Sequence, residues 1–212
     1  MIKVLTPLPR ELIVACSGGV DSMAVVDFLR KNHDVSCAFY HHDTEDSQRA
    51  YEFISKYCNE NDLTLFVGTC LGQKPGPGES REEWWRNKRY SFLENIDKTI
   101  VTAHNLDDCV ETYIHSAMHG KPKVIPMYRN NIVRPFLTTP KIEFVNWCKR
   151  KNIEWCEDSS NTNTDFTRNY IRHMMMPHAL RVNPGLPKTV KKIVQRQLTN
   201  IQDYATLAEQ VA

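Results

Sequence analysis

With 212 residues and 41% hydrophobic content, the chain can bury one good core and at most a small appendage. No apolar run approaches the ~20 residues that cross a bilayer, and residues 1–7 lack the apolar stretch of a signal peptide, which argues against a membrane protein and for a cytoplasmic one. Seven cysteines, at positions 16, 37, 58, 70, 109, 148 and 156, fall largely inside apolar patterns with no Cys-x-x-Cys pair, so they read as small core residues in a reducing compartment.

Apolar segments 11–16, 35–40, 63–69 and 98–103 predict buried strands, each followed by a helical pattern. Such alternation predicts an α/β fold, a parallel sheet with helices on both faces. Between the first strand and an amphipathic stretch at 22–29 stands Ser17-Gly18-Gly19-Val20-Asp21-Ser22. Two glycines allow close backbone approach and positive φ, and the free amides and dipole of a helix start suit phosphate. Ser17 and Ser22 add hydroxyl donors, and Asp21 is a carboxylate suited to the Mg²⁺ that accompanies ATP. The loop is neither Gly-Lys-Ser/Thr nor Gly-x-Gly-x-x-Gly.

The second helix places Ala50, Phe53, Ile54, Tyr57 and Cys58 on one stripe. Residues 72–78 are too rich in glycine and proline for regular structure and are either a lid or an ordinary connection. Trp84-Trp85-Arg86-Asn87-Lys88-Arg89-Tyr90 interleaves basic and aromatic groups, with Arg86 and Arg89 on one helix face, able to contact phosphate or stack on a base.

After the fourth strand, Thr102-Ala103-His104-Asn105-Leu106-Asp107-Asp108-Cys109-Val110-Glu111-Thr112 opens a helix with three carboxylates close together. They repel one another, and a metal ion or a substrate ammonium would relieve the strain. Leu106, Val110, Tyr113, Ile114 and Ala117 form the expected buried stripe of this fourth helix.

Residues 124–134 read as a hairpin turned by Asn130-Asn131, both tolerant of the left-handed region. Thr139 is the expected cap of a helix with Pro140 in its first position. A short strand at 153–156 and the polar run Asp158-Ser159-Ser160-Asn161 follow, then two basic helices at 168–180 and 187–211. Arg168 and Arg172 lie four apart and would clamp a phosphate or carboxylate. The last helix has Val190, Val194, Leu198, Ile201, Ala205 and Ala208 on one stripe.

Charge is distributed unevenly. Residues 166–202 hold seven Lys or Arg and no acid, whereas the remainder holds 20 basic against 25 acidic residues. The acid-free window is a candidate nucleic-acid surface, with Lys188, Lys191, Lys192 and Arg196 on the exposed side of the last helix. A solvated helix face or a homodimer contact is the alternative use of the same residues.

Taken together these motifs resemble a known family. S-G-G-V-D-S resembles the PP-loop of ATP pyrophosphatases, which cut ATP between the α- and β-phosphates. That loop, the T-A-H-N-L-D-D-C-V-E-T block, R-N-K-R-Y, R-P-F-L and D-S-S-N followed by R-N-Y-I-R-H occur in the order seen in bacterial tRNA(Ile)-lysidine synthetases, covering residues 11–180. The resemblance implies a Rossmann-like open sheet of the PP-loop ATPase, adenine nucleotide alpha hydrolase-like, type at 1–138, with a helical, basic extension at 139–212 packed on it. It implies adenylation of the wobble cytidine of an isoleucine tRNA by ATP, with release of pyrophosphate, then displacement of AMP by the amine of free lysine. Carried over by motif, Ser17, Gly18, Gly19, Val20, Asp21 and Ser22, with His42 and His104, would bind ATP and Mg²⁺. Asp108 and Glu111 would hold the lysine ammonium, Arg168 and Arg172 would organise substrate or phosphate, and Arg86, Arg89 and the tail would meet tRNA.

The chain departs from the family pattern where an arginine usually follows His42 and at Cys109 where glutamine is common, and it is expected to end near the end of the catalytic domain, without the C-terminal domains that help select tRNA. A tRNA thiolase or a small-molecule amidating ligase on the same fold is the nearest competing reading, and a nucleotide-dependent RNA-binding module is one from another class.

Overall fold

The fold comes from a computed structural model that describes residues 1–157 and 163–211, with side chains described through residue 199. A six-stranded sheet runs in the order β3 (Leu65–Thr69), β2 (Asp34–His41), β1 (Glu11–Ala15), β4 (Ile100–Val101), β6 (Ile132–Val133), β5 (Tyr128–Arg129). All neighbours are parallel except β5 against β6. The central strand β1 is apolar on both faces, with Leu12, Ile13 and Val14 essentially unexposed, as a strand covered on both sides must be. Chain order reverses between β1 and β4, so a crevice opens at their C-terminal ends, where open α/β sheets bind ligands.

The helices are α1 (Val20–Leu29), α2 (Glu45–Glu60), α3 (Arg81–Glu94), α4 (Leu106–Met118) and α5 (Lys141–Lys151). They are followed by α6 (Thr167–Tyr170), a wide π turn (Ile171–Met175), α7 (Met176–Val182) and α8 (Leu186–Val211). In α2 the Thr44 hydroxyl accepts the Ser47 N–H at 3.1 Å, and Ala50, Ile54 and Cys58 are buried as their spacing requires. The π turn stands where one regular helix was expected. Pro177 has no N–H to donate and crowds the carbonyl four residues back, which breaks the ladder at that point.

Several local expectations change. Helix α1 is buried nearly all round, at Ser22, Met23, Ala24, Val25, Val26 and Leu29, rather than amphipathic. The cause is α5, which covers its outer side: Trp147 Nε1 donates to Asp27 at 2.9 Å, and Phe28 meets Trp147 edge-on at 5.2 Å. Of the hairpin asparagines only Asn130 is left-handed, with φ 52°. Asn131 instead donates its side-chain amide to the carbonyls of Leu93, Ile96 and Lys98.

Pro140 is the N-cap residue of α5 and Lys141 its first position. The Thr139 hydroxyl is engaged elsewhere, accepting the Lys3 N–H at 3.1 Å and donating to the Lys3 carbonyl at 3.3 Å. On α4, Ala117 is exposed and Ser116 is buried, its hydroxyl accepting the Lys123 N–H at 2.9 Å. No strand forms at 153–156; that segment lies against the glycine loop, with the Cys156 N–H donating to the Gly18 carbonyl at 2.9 Å.

Val190 and Val194 of α8 pack with Leu106, Cys109, Val110 and Leu137, so the tail helix shares a core with α4. Its continuation through Ile201, Ala205 and Ala208 lies outside the described side chains, and Asp158-Ser159-Ser160-Asn161 lies outside the described residues. Six cysteines are buried, Cys156 is half-buried, and all are free thiols. No described helix is long and apolar enough to cross a membrane.

Candidate active site

The loop after β1 is held by its own serines. Ser22 Oγ donates to the Gly19 carbonyl at 2.9 Å and accepts the Ser17 N–H at 3.2 Å, closing the turn before α1. Gly18 has φ +81°, which other residues adopt only with strain, and its α-hydrogen side packs near Ile54 and Cys156. Gly19 is the N-cap of α1 and supplies no side chain, so the first-turn amides have no capping acceptor of their own. That arrangement of unfilled donors at the positive end of a helix is an anion cradle.

Asp21 stands in the first turn of α1. Burial pushes its carboxyl up to about 6, opposed chiefly by Lys141, whose ammonium sits 3.3 Å from Oδ2. Asp21 Oδ1 is buried without a hydrogen-bond partner. A hard carboxylate oxygen left unsatisfied beside a phosphate cradle fits Mg²⁺.

The second cluster opens α4. Asn105 caps the helix, its side chain accepting the amides of Asp107 and Asp108, while Asp108 Oδ2 accepts the Asn105 N–H at 2.9 Å. Asp107 turns away and accepts the Lys141 N–H at 2.8 Å, so it caps α5. Asp108 and Glu111 face the π-containing helix. Arg168 donates to Glu111 at 2.9 Å and to Asp108 at 2.6 Å; Arg172 donates to Glu111 at 2.6 and 3.1 Å and to Asp108 at 3.4 Å.

Two carboxylates and two guanidiniums therefore neutralise one another, with the Glu111 side chain only 3% exposed. Burial opposes the charge on Arg168, but Asp108 and Glu111 outweigh it and hold its guanidinium above the usual range. The loop and this cluster belong to one electrostatic site, because Asp108 raises and Arg172 lowers the Asp21 carboxyl.

His104 bonds to the Thr102 hydroxyl through Nδ1 at 2.7 Å. Burial, and then Arg168, Arg134, Arg89 and Arg86, hold its imidazole well below the ordinary range, so it is neutral. Three of those arginines also gather around Tyr90: Arg86 lies 4.9 Å, Arg89 5.6 Å and Arg134 5.8 Å from its ring centre. His42, just past β2, packs its ring between Tyr40 and Trp85 at 5.1 and 5.4 Å.

The structure thus brings Asp21, His104, Asp108, Glu111, Arg168 and Arg172 to the ends of β1 and β4, with Arg86 and Arg89 beside them on α3. Lys188, Lys192 and Arg196 are exposed on α8 and Lys191 is half-buried there. Sequence reasoning missed Lys141 and the separate use of Asp107. A cation directly after Pro140, at the positive end of a helix, was the available signal, since such a residue needs an acidic partner.

The chain is 28% identical to the tRNA(Ile)-lysidine synthase of Thermotoga maritima over 94% of its length and 57% of that protein. It is 31% identical to the enzyme of the same name from Lactiplantibacillus plantarum, over 94% of this chain and 48% of that one. The chain thus spans about half the length of these curated relatives.

Among solved structures, a U34-tRNA thiolase from Methanococcus maripaludis, described with its [4Fe-4S] cluster, superposes with a TM-score of 0.73 at 15% identity, covering 92% of this chain and 74% of that one. An NH3-dependent NAD synthetase from Campylobacter jejuni does so at 0.53 and 13% identity, covering 91% and 87%. At these identities the likeness is one of fold. The PP-loop domain family matches residues 3–179, and the chain belongs to that family.

Proposed function

We propose that the chain is the catalytic unit of a tRNA(Ile)-lysidine synthase, acting in the cytoplasm. It would use ATP to adenylate a base carbonyl oxygen, most specifically that of the wobble cytidine of tRNA(Ile), with release of pyrophosphate. The amine of free lysine then displaces AMP to form a carbon–nitrogen bond. The observation that carries this reading is the meeting of an anion cradle with a buried carboxylate and guanidinium cluster at the ends of β1 and β4. The names of the curated relatives support the substrate assignment.

In this reading residues 1–138 form the nucleotide-binding unit, and 139–212 a helical extension packed on it. The amides around Gly18 and Gly19, with Ser17, Val20 and Ser22, hold the triphosphate. Asp21 would hold Mg²⁺, which supplies charge neutralisation for the departing pyrophosphate. His104, neutral at physiological pH, can hydrogen-bond to substrate without adding charge, and His42 lines the nucleotide side.

Asp108 and Glu111 are already satisfied by Arg168 and Arg172. A lysine ammonium entering there takes over a guanidinium's place, and the released arginine is then free to meet the α-phosphate. Arg86, Arg89 and the basic tail would track the tRNA backbone.

Product analysis tests the reaction type: AMP and pyrophosphate are expected in a tRNA-dependent reaction, and ADP as the main product would overturn it.

A further inference from the structure

Lys141 occupies the first position of α5, directly after Pro140. A cation there faces the positive end of the helix dipole, an unfavourable placement unless anions compensate. Two do, from different parts of the chain. Asp107 accepts its backbone N–H at 2.8 Å, and Asp21 Oδ2 lies 3.3 Å from its ammonium.

The contact brings the start of α5 onto the start of α1, although the two residues are 120 positions apart. The ammonium therefore reaches the rim of the phosphate cradle, in a chain whose loop has no lysine of its own. Arg168 and Arg172 are each bound by two carboxylates, whereas among the described ion pairs Lys141 is held by Asp21 alone. Its side chain is 39% exposed on a flexible stem, free to swing toward a ligand.

We propose that Lys141 is a catalytic cation for the leaving pyrophosphate: in the free chain its ammonium rests on Asp21, and when the triphosphate enters it moves onto the phosphate oxygens. The inference rests on the ATP pyrophosphatase reading above and adds a residue to it. No bond to Lys141 forms or breaks. Its three N–H donors stabilise charge that grows on the β-phosphate oxygens as the α,β bond breaks.

The test compares wild type with Lys141→Met, which keeps the stem, Lys141→Gln as a second neutral variant, and Lys141→Arg. Calorimetric titration with magnesium pyrophosphate and separately with adenosine is read beside AMP formation at saturating ATP with tRNA(Ile) and lysine present, with melting curves to establish which variants fold. Loss of one charge-assisted contact predicts pyrophosphate affinity weakened by roughly 10- to 100-fold in the folded neutral variants. Adenosine affinity is expected unchanged, kcat lower, and both effects largely restored in Lys141→Arg. If wild type binds pyrophosphate and forms AMP while a folded neutral variant does both equally well, the inference is overturned alone, and Lys141 is only a partner for Asp21. If wild type itself neither binds pyrophosphate nor forms AMP, the inference and the reading beneath it fall together.

Discussion

Replacing Asp21 with asparagine separates what this carboxylate does for function from what it costs the fold. Its pKa is about 6 in the folded chain against 3.8 for a free side chain, with burial as the leading cause. Between those values the folded state keeps a proton that the unfolded state has released, so stability falls as pH rises through this window. A shift of about two pH units at ~1.36 kcal/mol each gives a loss of about 3 kcal/mol, complete by roughly pH 7. Asparagine has no proton to release and escapes this loss.

The advantage of Asp21→Asn over wild type, measured by urea denaturation, should therefore grow by about 2–3 kcal/mol between pH 4 and pH 7. For a chain of this size that corresponds to roughly 4–12 °C in melting temperature. Turnover should be lost in the same variant, because the ligand proposed for Mg²⁺ is gone. A stability difference that stays flat across this pH range would refute the assignment of Asp21 as a buried, strained carboxylate.

Glu111→Gln leaves Arg168 and Arg172 short of a charge partner in a buried site, so a stability loss of about 3–5 kcal/mol is expected by denaturation. Both this variant and Asp108→Asn should raise the lysine requirement more than the ATP requirement in steady-state kinetics; unchanged lysine dependence would assign the pair to structure alone. Phe144→Ala removes an unexposed ring that meets Phe136 edge-on at 5.8 Å and should cost about 3–5 kcal/mol, read from chemical unfolding. Changing Lys191 and Lys192 to Glu should weaken tRNA binding and reduce the slope of log K against log salt by roughly 0.7–0.9 per lost contact, with ATP binding unaltered.

The sheet was readable because its buried strands are short continuous apolar runs separated by helical periods; the order of its strands comes from the structure alone. Charge-bearing motifs at strand ends were readable for the same reason, since the fold dictates where a strand end points. Pairings between distant segments were not readable. Nothing local announces that Arg168 and Arg172 would cover Asp108 and Glu111 some 60 residues earlier, so groups expected to serve separate substrates are found holding each other. The amphipathic expectation for α1 failed likewise, because the helix that covers its outer face comes from the far side of the sheet in sequence. Local capping failed by one residue at Thr139, where a partner at Lys3 competed for the hydroxyl.

Under the proposed function, this arrangement joins lysine to tRNA at the expense of ATP. This is tested most directly by incubating the chain with unmodified tRNA(Ile), ATP, Mg²⁺ and isotopically labelled lysine, then digesting the tRNA and weighing its nucleosides. The expected product is a labelled cytidine derivative carrying lysine at the wobble position, dependent on ATP and absent with Asp21→Asn. Release of AMP and pyrophosphate with no lysine in the tRNA, or incorporation of sulfur instead when a sulfur donor is supplied, would contradict it.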